Sequence, residues 1–328
     1  MPAFDAAPIV TLEENVTREF CETTLLENDS PIPLVATSDA NLVARLSALA
    51  GEIFFEEIRR IRTEISNADV GIAAIDVPLI YEDVTKDAIT GALVALSISQ
   101  HIMPSVLDRE NRTPFSMFNA SEENNAALNE LGIKNISPVD VLEFHSDGTI
   151  RGNTLAVPNY VALYNVFINY AKRGNFYWVP SSSIPSMHGY VSNLGCNNDY
   201  LFDLTPSVYS NSESGVKSIS PHRARTSVFQ EDEDGRVVTF MNGTFLGRES
   251  ETGGSATRHL AEFQQAIANN PVRYAVPQES RRMVILNNAA GFHARDVFEE
   301  PFKEVSVTRC YLRSASLSGR VMGEILAN

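Results

Sequence analysis

The sequence predicts a mainly β fold with flanking helices: an antiparallel barrel or jelly roll buttressed on one side by N-terminal helices. Three observations carry this prediction. Apolar residues recur at helical spacing through residues 1–137, strand-like segments take over across 138–328, and a helical insert near 255–268 interrupts them.

The elements follow in order. Thr11-Leu-Glu-Glu14 has capping-box spacing, which predicts a first helix whose exposed amides are met by the threonine oxygen and the glutamate. From Ser38 onward Leu42, Leu46, Leu49, Ile53, Ile58, Ile61 and Ile65 line one face of a long amphipathic helix. A third helix is expected over about Asp87 to Met103, and a short one from Ser121 to Leu131, ahead of Gly132. Beyond Pro138, the segments TLAVPNYVALYNVFI, FYWVP, GRVVTFMNGTF, RRMVIL and EVSVTRCYLRSAS are rich in β-branched and aromatic residues. Gly, Asn, Pro and Asp clusters separate them, as expected of strands joined by turns. In the helical insert, Ser255 is expected to cap, Leu260, Phe263 and Ile267 share a face, and Asn269-Asn270-Pro271 stops the helix. There is no internal repeat and no dividing linker, so residues 1–328 are expected to form one domain.

Composition narrows the function classes. With 44% hydrophobic residues in 328, the chain can bury a substantial core. Its net charge of −15 disfavours nucleic acid, since phosphate contacts need a basic surface. No apolar run is long enough for a membrane helix and the N-terminus has no basic-then-apolar leader, so a soluble, cytoplasmic protein is expected. Cys21, Cys196 and Cys310 are scattered, which suits small buried hydrophobes better than disulfides or a thiolate metal site.

The chemistry centres on EFHSDGT, residues 143–149. In extended chain, His145 and Asp147 point the same way, so both side chains can reach one ion; taken alone the signal is weak, and the pair suits a solvated loop better. Far downstream, MVILNNAAGFHARDVF delivers His293 just past a strand end, and in VSVTRCYLR Arg309 and Arg313 share a face with Val307 and Tyr311. Arginines on one side of an apolar strand suit a place where anions meet them. Two histidines and a carboxylate make the facial set of non-haem Fe(II) oxygenases, and an arginine soon after the second histidine suits the far carboxylate of a 2-oxo acid.

In this order, HxD, NNxxxxHAR and then RxxxR, the chain resembles the Fe(II)/2-oxoglutarate oxygenases of the clavaminate synthase-like and taurine dioxygenase-like group. The motifs cover about a fifth of the sequence. The resemblance implies a double-stranded β-helix, with His145, Asp147 and His293 as catalytic iron ligands. It implies Arg309 as the clamp for the 2-oxoglutarate C5 carboxylate and Arg313 facing the substrate carboxylate. Where relatives add a threonine to the co-substrate site, this chain has Asn175 or Tyr177. Asn242 and Thr244 stand where arginine hydroxylases carry two aspartates, so the substrate-binding residues suit a shorter amine or amide. The phrase VALYNVFINYAKRGNFYWVP looks like the lysine-hydroxylating branch. Asp147 implies hydroxylation, because halide-transferring relatives have a small residue there. The expected cofactors and co-substrates are Fe(II), 2-oxoglutarate and O2, and the expected partner is a small free amino acid, with no nucleic acid or membrane.

Two other readings stand beside this one: a 2-oxoglutarate oxygenase that desaturates or acts on a tethered or non-amino-acid substrate, and a jelly roll that binds without redox chemistry. His222 is the rival second histidine, though its arginine neighbours and the acidic run 231–234 suit solvent. His101 and His259 fall in predicted helices, and His188 in a Ser/Pro/Gly loop. Asn287 and Asn288 either end a strand or support His293, and Trp178 fills core or pocket wall.

Overall fold

The computed structural model describes residues 4–108, 110–121, 138–195, 200–204, 208–211, 215–218, 223–231, 237–248 and 254–326. A six-stranded major sheet and a five-stranded minor sheet face each other as the jelly-roll core. The major sheet runs Ile9–Thr11, Ile72–Asp76, Arg282–Leu286, Val161–Ile168, Val307–Ala315 and Ser116–Ser121 in spatial order. The minor sheet runs Asp5–Ala6, Tyr274–Pro277, Asn175–Pro180, Gly291–Arg295 and Leu142–His145.

Period-two alternation along the major sheet sorts its side chains into two layers. Ala73, Ile75, Ala162, Tyr164, Met283, Ile285, Cys310 and Leu312 face outward and pack the N-terminal helices in one buried cluster. Ile72, Ala74, Val161, Val284, Leu286 and Ala315 face inward and meet Phe176, Trp178 and Val276 of the minor sheet. Trp178 is fully buried and its indole N–H donates to Val70 O at 2.7 Å. Truncating such a residue to alanine typically costs about 3–5 kcal/mol.

The helical third differs from its sequence reading in several places. Thr11 ends a strand, and the first helix, Glu14–Phe20, starts at N-cap Glu13 without a side-chain cap. The long helix is two, Ala40–Ile53 and Phe55–Ser66, broken at Phe54 (φ −104°, ψ 34°), whose fully buried ring packs edge-on against Phe20. The cap of the first is Asp39, whose carboxylate accepts from Asn41 N at 2.9 Å. The next helix is Val84–Ile102, capped by Asp83. Three strands of the major sheet, Ile9–Thr11, Ile72–Asp76 and Ser116–Ser121, come from the part read as helical, so it completes the sheet as well as buttressing it. Ser121 ends a strand, and the rest of the short helix predicted to Leu131 lies outside the described residues, as do His222, Cys196 and all of the acidic run but Glu231.

A further six-stranded sheet contains Thr149–Arg151, Thr154–Pro158 and Gly319–Ile325, and its core includes the helices Met187–Leu194 and Ser255–Ala268. His188 is therefore helical. Gly254, at φ 66°, takes the N-cap position expected of Ser255, since it tolerates left-handed backbone. Leu260, Phe263 and Ile267 are buried as the spacing predicts. No helix among the described residues is long and apolar enough to cross a membrane.

Candidate metal centre

Strand pairing brings the two histidines together. Leu142–His145 lies antiparallel to Gly291–Arg295, with His145 directly opposite His293 and an irregularity in register just after it. The ring centroids are 4.1 Å apart. Two residues past His145 the chain has left the strand, and Asp147 Oδ1 lies 3.5 Å from His145 Nε2 and 3.8 Å from His293 Nε2. One donor atom from each of His145, Asp147 and His293 falls within 4.8 Å of the others.

Local contacts aim these atoms. His145 Nδ1 is 2.8 Å from Glu143 O, and because a carbonyl only accepts, Nδ1 carries a hydrogen while the Nε2 side of the ring faces Asp147. Arg313 donates through Nε and Nη2 to Asp147 Oδ2, at 2.9 and 2.7 Å, leaving Oδ1 to the histidines. Asn288 holds the backbone of Asp147 on both sides: Asp147 N donates to its Oδ1 at 2.8 Å, and its Nδ2 donates to Asp147 O and Pro158 O, each at 3.0 Å. Ser146 is pinned in turn, its N to Met241 O at 3.1 Å and its Oγ to Thr239 O at 2.8 Å.

The electrostatics suit a cation. Burial works against ionisation of Asp147, but the adjacent Arg313 guanidinium holds its carboxyl well below the usual range. Burial, followed by His145, pushes the pKa of His293 down to about 3, so its ring is neutral at physiological pH. His293 Nδ1 is buried without a hydrogen-bond partner among the described residues, and Phe176 stacks on the ring at 5.5 Å. Two imidazoles and one carboxylate brought together in this way fit a divalent metal with open positions.

The arginine strand continues the site along the inner face. Tyr311 and Arg313 sit opposite Asn165 and Leu163, and a bulge between Asn165 and Phe167 then leaves Asn165 and Ile168 both beside Arg309. Arg309 is buried; its Nε and Nη2 donate to Asn165 Oδ1 at 3.1 and 2.7 Å, and Gln278 Oε1 lies 3.5 Å away. Its guanidinium lies 4.2 Å from the centroid of the Tyr311 ring and 4.8 Å from that of Phe298. It forms no ion pair with a carboxylate among the described residues, and burial, then neighbouring Arg295, pulls its pKa down to about 9.

The structure does not bring every predicted residue here. Tyr177 sits opposite Ala294, so alternation turns it and Asn175 away from the face shared by Phe176 and His293. Tyr177 donates to Asp296 Oδ2 at 2.7 Å, and Asn175 Nδ2 approaches Tyr177 OH at 3.4 Å. Asn242 is half-buried, following the Met241 that pairs with Ser146, whereas Thr244 is exposed at the start of its strand. Asn165, Phe176, Ser146 and Gln278 enter the site without a sequence prediction. A lone Asn inside the apolar strand VALYNVFI was the available signal for one of them.

No protein-family profile and no curated protein matches the sequence. Solved structures do match in fold. The chain is similar to the non-heme iron oxygenase OrfP bound to (3S)-hydroxy-L-Arg as an aspartate-to-alanine mutant, at 10% identity over 94% of each chain with a TM-score of 0.68. It is similar to OrfP with Fe and alpha-ketoglutaric acid, at 11% identity over 95% of this chain and 94% of the other, TM-score 0.66. It is also similar to asparagine oxygenase, at 14% identity over 97% and 99%, TM-score 0.64.

Proposed function

We propose that this protein is an Fe(II)- and 2-oxoglutarate-dependent oxygenase that hydroxylates an unactivated C–H bond of a free L-amino acid, with lysine the first candidate. The observation that carries this reading is the convergence of His145, Asp147 and His293 on one point, with Arg309 buried on the facing sheet and without a carboxylate partner among the described residues. Iron, with 2-oxoglutarate and dioxygen, supplies the oxidation itself, giving succinate and carbon dioxide beside the hydroxylated product.

The protein's own residues bind, orient and exclude water. His145 and His293 present ring nitrogens, and Asp147 presents Oδ1 while Arg313 occupies Oδ2. Arg309 receives the distal carboxylate of the co-substrate. Arg313, whose side chain is 26% exposed, is open enough to meet the carboxylate of an amino acid while holding Asp147. Free amino acids are favoured as substrates because the structural neighbours hold hydroxy-arginine and, in asparagine oxygenase, hydroxyasparagine. Lysine rests on the sequence likeness of residues 161–180 and on Asn242 and Thr244 standing in place of two acids.

The test is succinate formation by protein loaded anaerobically with Fe(II), then exposed to air with 2-oxoglutarate, across the twenty free amino acids. Lysine is expected to stimulate turnover and gain one oxygen by mass. Stimulation by another amino acid alone would remove lysine; no stimulation by any would remove the free-amino-acid reading; and no binding of 2-oxoglutarate would remove the oxygenase.

A further inference from the structure

Arg309 buries a positive charge against neutral amides, and one of those amides is itself incomplete. Gln278, 4% exposed, follows the strand Tyr274–Pro277, and its backbone N donates to Gly174 O at 3.2 Å. Its Oε1 takes Asn165 Nδ2 at 3.3 Å and faces Arg309 Nη2 at 3.5 Å. Those two donors settle which end of the carboxamide is which, because turning it over would set its NH2 group against two other donors. Nε2 is then the free end, buried and without a partner among the described residues. A buried N–H with no acceptor is costly, and natural sites seldom keep one without a use.

The surroundings narrow what completes it. Arg309 supplies further guanidinium donors, the Tyr311 and Phe298 rings flank it, and Asn165 Oδ1 is already taken by Arg309. Two adjacent sets of donors beside two aromatic rings call for an anion with two acceptor oxygens. Asn175 and Tyr177, the residues expected to supply the second contact, are turned to the other face of their strand.

Resting on the co-substrate reading above, we propose that Gln278 Nε2 is the second donor to the distal carboxylate of the 2-oxo acid, beside Arg309. Asn165 is then the positioning residue that orients both, one end of its amide accepting from Arg309 and the other donating to Gln278.

The experiment uses full-length protein loaded with Mn(II), which holds the site without turnover. The dissociation constant of 2-oxoglutarate is measured by calorimetry and that of Mn(II) by electron paramagnetic resonance, for the wild type, Gln278→Met and Gln278→Glu. Methionine keeps the length and removes both amide atoms, so 2-oxoglutarate binding is expected to weaken by about ten- to a hundredfold while Mn(II) binding stays within about twofold. Glutamate places a carboxylate on Arg309 from within the chain and is expected to weaken 2-oxoglutarate further than methionine does. Unchanged 2-oxoglutarate binding in either variant would overturn the proposal. Parallel losses of Mn(II) and 2-oxoglutarate would also overturn it, by showing a merely structural role. A wild type that binds Mn(II) but no 2-oxoglutarate would instead remove the co-substrate reading on which the proposal stands.

Discussion

Replacing Arg309 by methionine should make the protein more stable while removing its response to 2-oxoglutarate. The guanidinium is buried with its pKa drawn down from the ordinary arginine range to about 9, which corresponds to a charge penalty on the order of 5 kcal/mol in the folded state at neutral pH. Opposing this, Asn165 Oδ1 would lose both its donors, at about 2 kcal/mol. The contacts with Tyr311 and Phe298 would lose roughly 1 kcal/mol. The balance favours the variant by about 2 kcal/mol. Because the folded pKa is lowered, the penalty is full below about pH 9 and fades as pH rises through it, so the advantage of Arg309→Met should shrink in alkaline buffer. Denaturant unfolding with and without millimolar 2-oxoglutarate measures both effects. A variant less stable than the wild type, or one still stabilised by 2-oxoglutarate to the same extent, would refute the reasoning.

Further outcomes follow from the same geometry. His145→Ala and His293→Ala should each abolish turnover and divalent-metal binding in a protein that still unfolds cooperatively; full activity in either would remove that ligand. Asp147→Gly should lose hydroxylation, and product analysis by mass spectrometry that finds an efficient hydroxylase would show the carboxylate dispensable. Asn288→Ala should weaken metal binding by about 10- to 100-fold, since the backbone of Asp147 loses both its amide partners, and unchanged affinity would make the residue a plain strand end. Gly291→Ala puts a Cβ 2.4 Å from Val179 O and 2.5 Å from the Trp178 ring, so a loss of about 1–3 kcal/mol is expected by denaturant unfolding.

The parts of this site legible in the sequence are those whose chemistry is local. HxD spacing keeps the two candidate ligands close together at a strand end, and alternation alone puts Arg309, Tyr311 and Arg313 on one face. What stayed hidden depends on pairing across the chain. Asn175 and Tyr177 were set beside the co-substrate by their distance from HxD, but the register opposite Gly291–Arg295 decides their face. Gln278 lies just past a strand end, where no periodicity speaks for its side chain. The helix break at Phe54 is set by packing against Phe20, although the spacing runs on past it. The segment Ile72–Asp76 is a short apolar run, IAAID, whose partners Ile9–Thr11 and Arg282–Leu286 are remote in sequence.

The site also shows how a β fold keeps charge in its interior. Across the strand Val307–Ala315, Cys310 and Leu312 join the large helix-facing cluster, while Arg309, Tyr311 and Arg313 turn toward the minor sheet. The first face supplies apolar burial that holds the sheet in place, and the second carries guanidinium groups whose burial is costly unless an anion meets them. Arg313 already has its anion in Asp147, whereas among the described residues Arg309 has neutral amides and aromatic rings but no carboxylate. The strand is therefore satisfied at its metal end and unsatisfied at the other. On the proposed function, that asymmetry would orient an incoming dicarboxylate, its free carboxylate drawn to Arg309 and its 2-oxo end toward His145, Asp147 and His293.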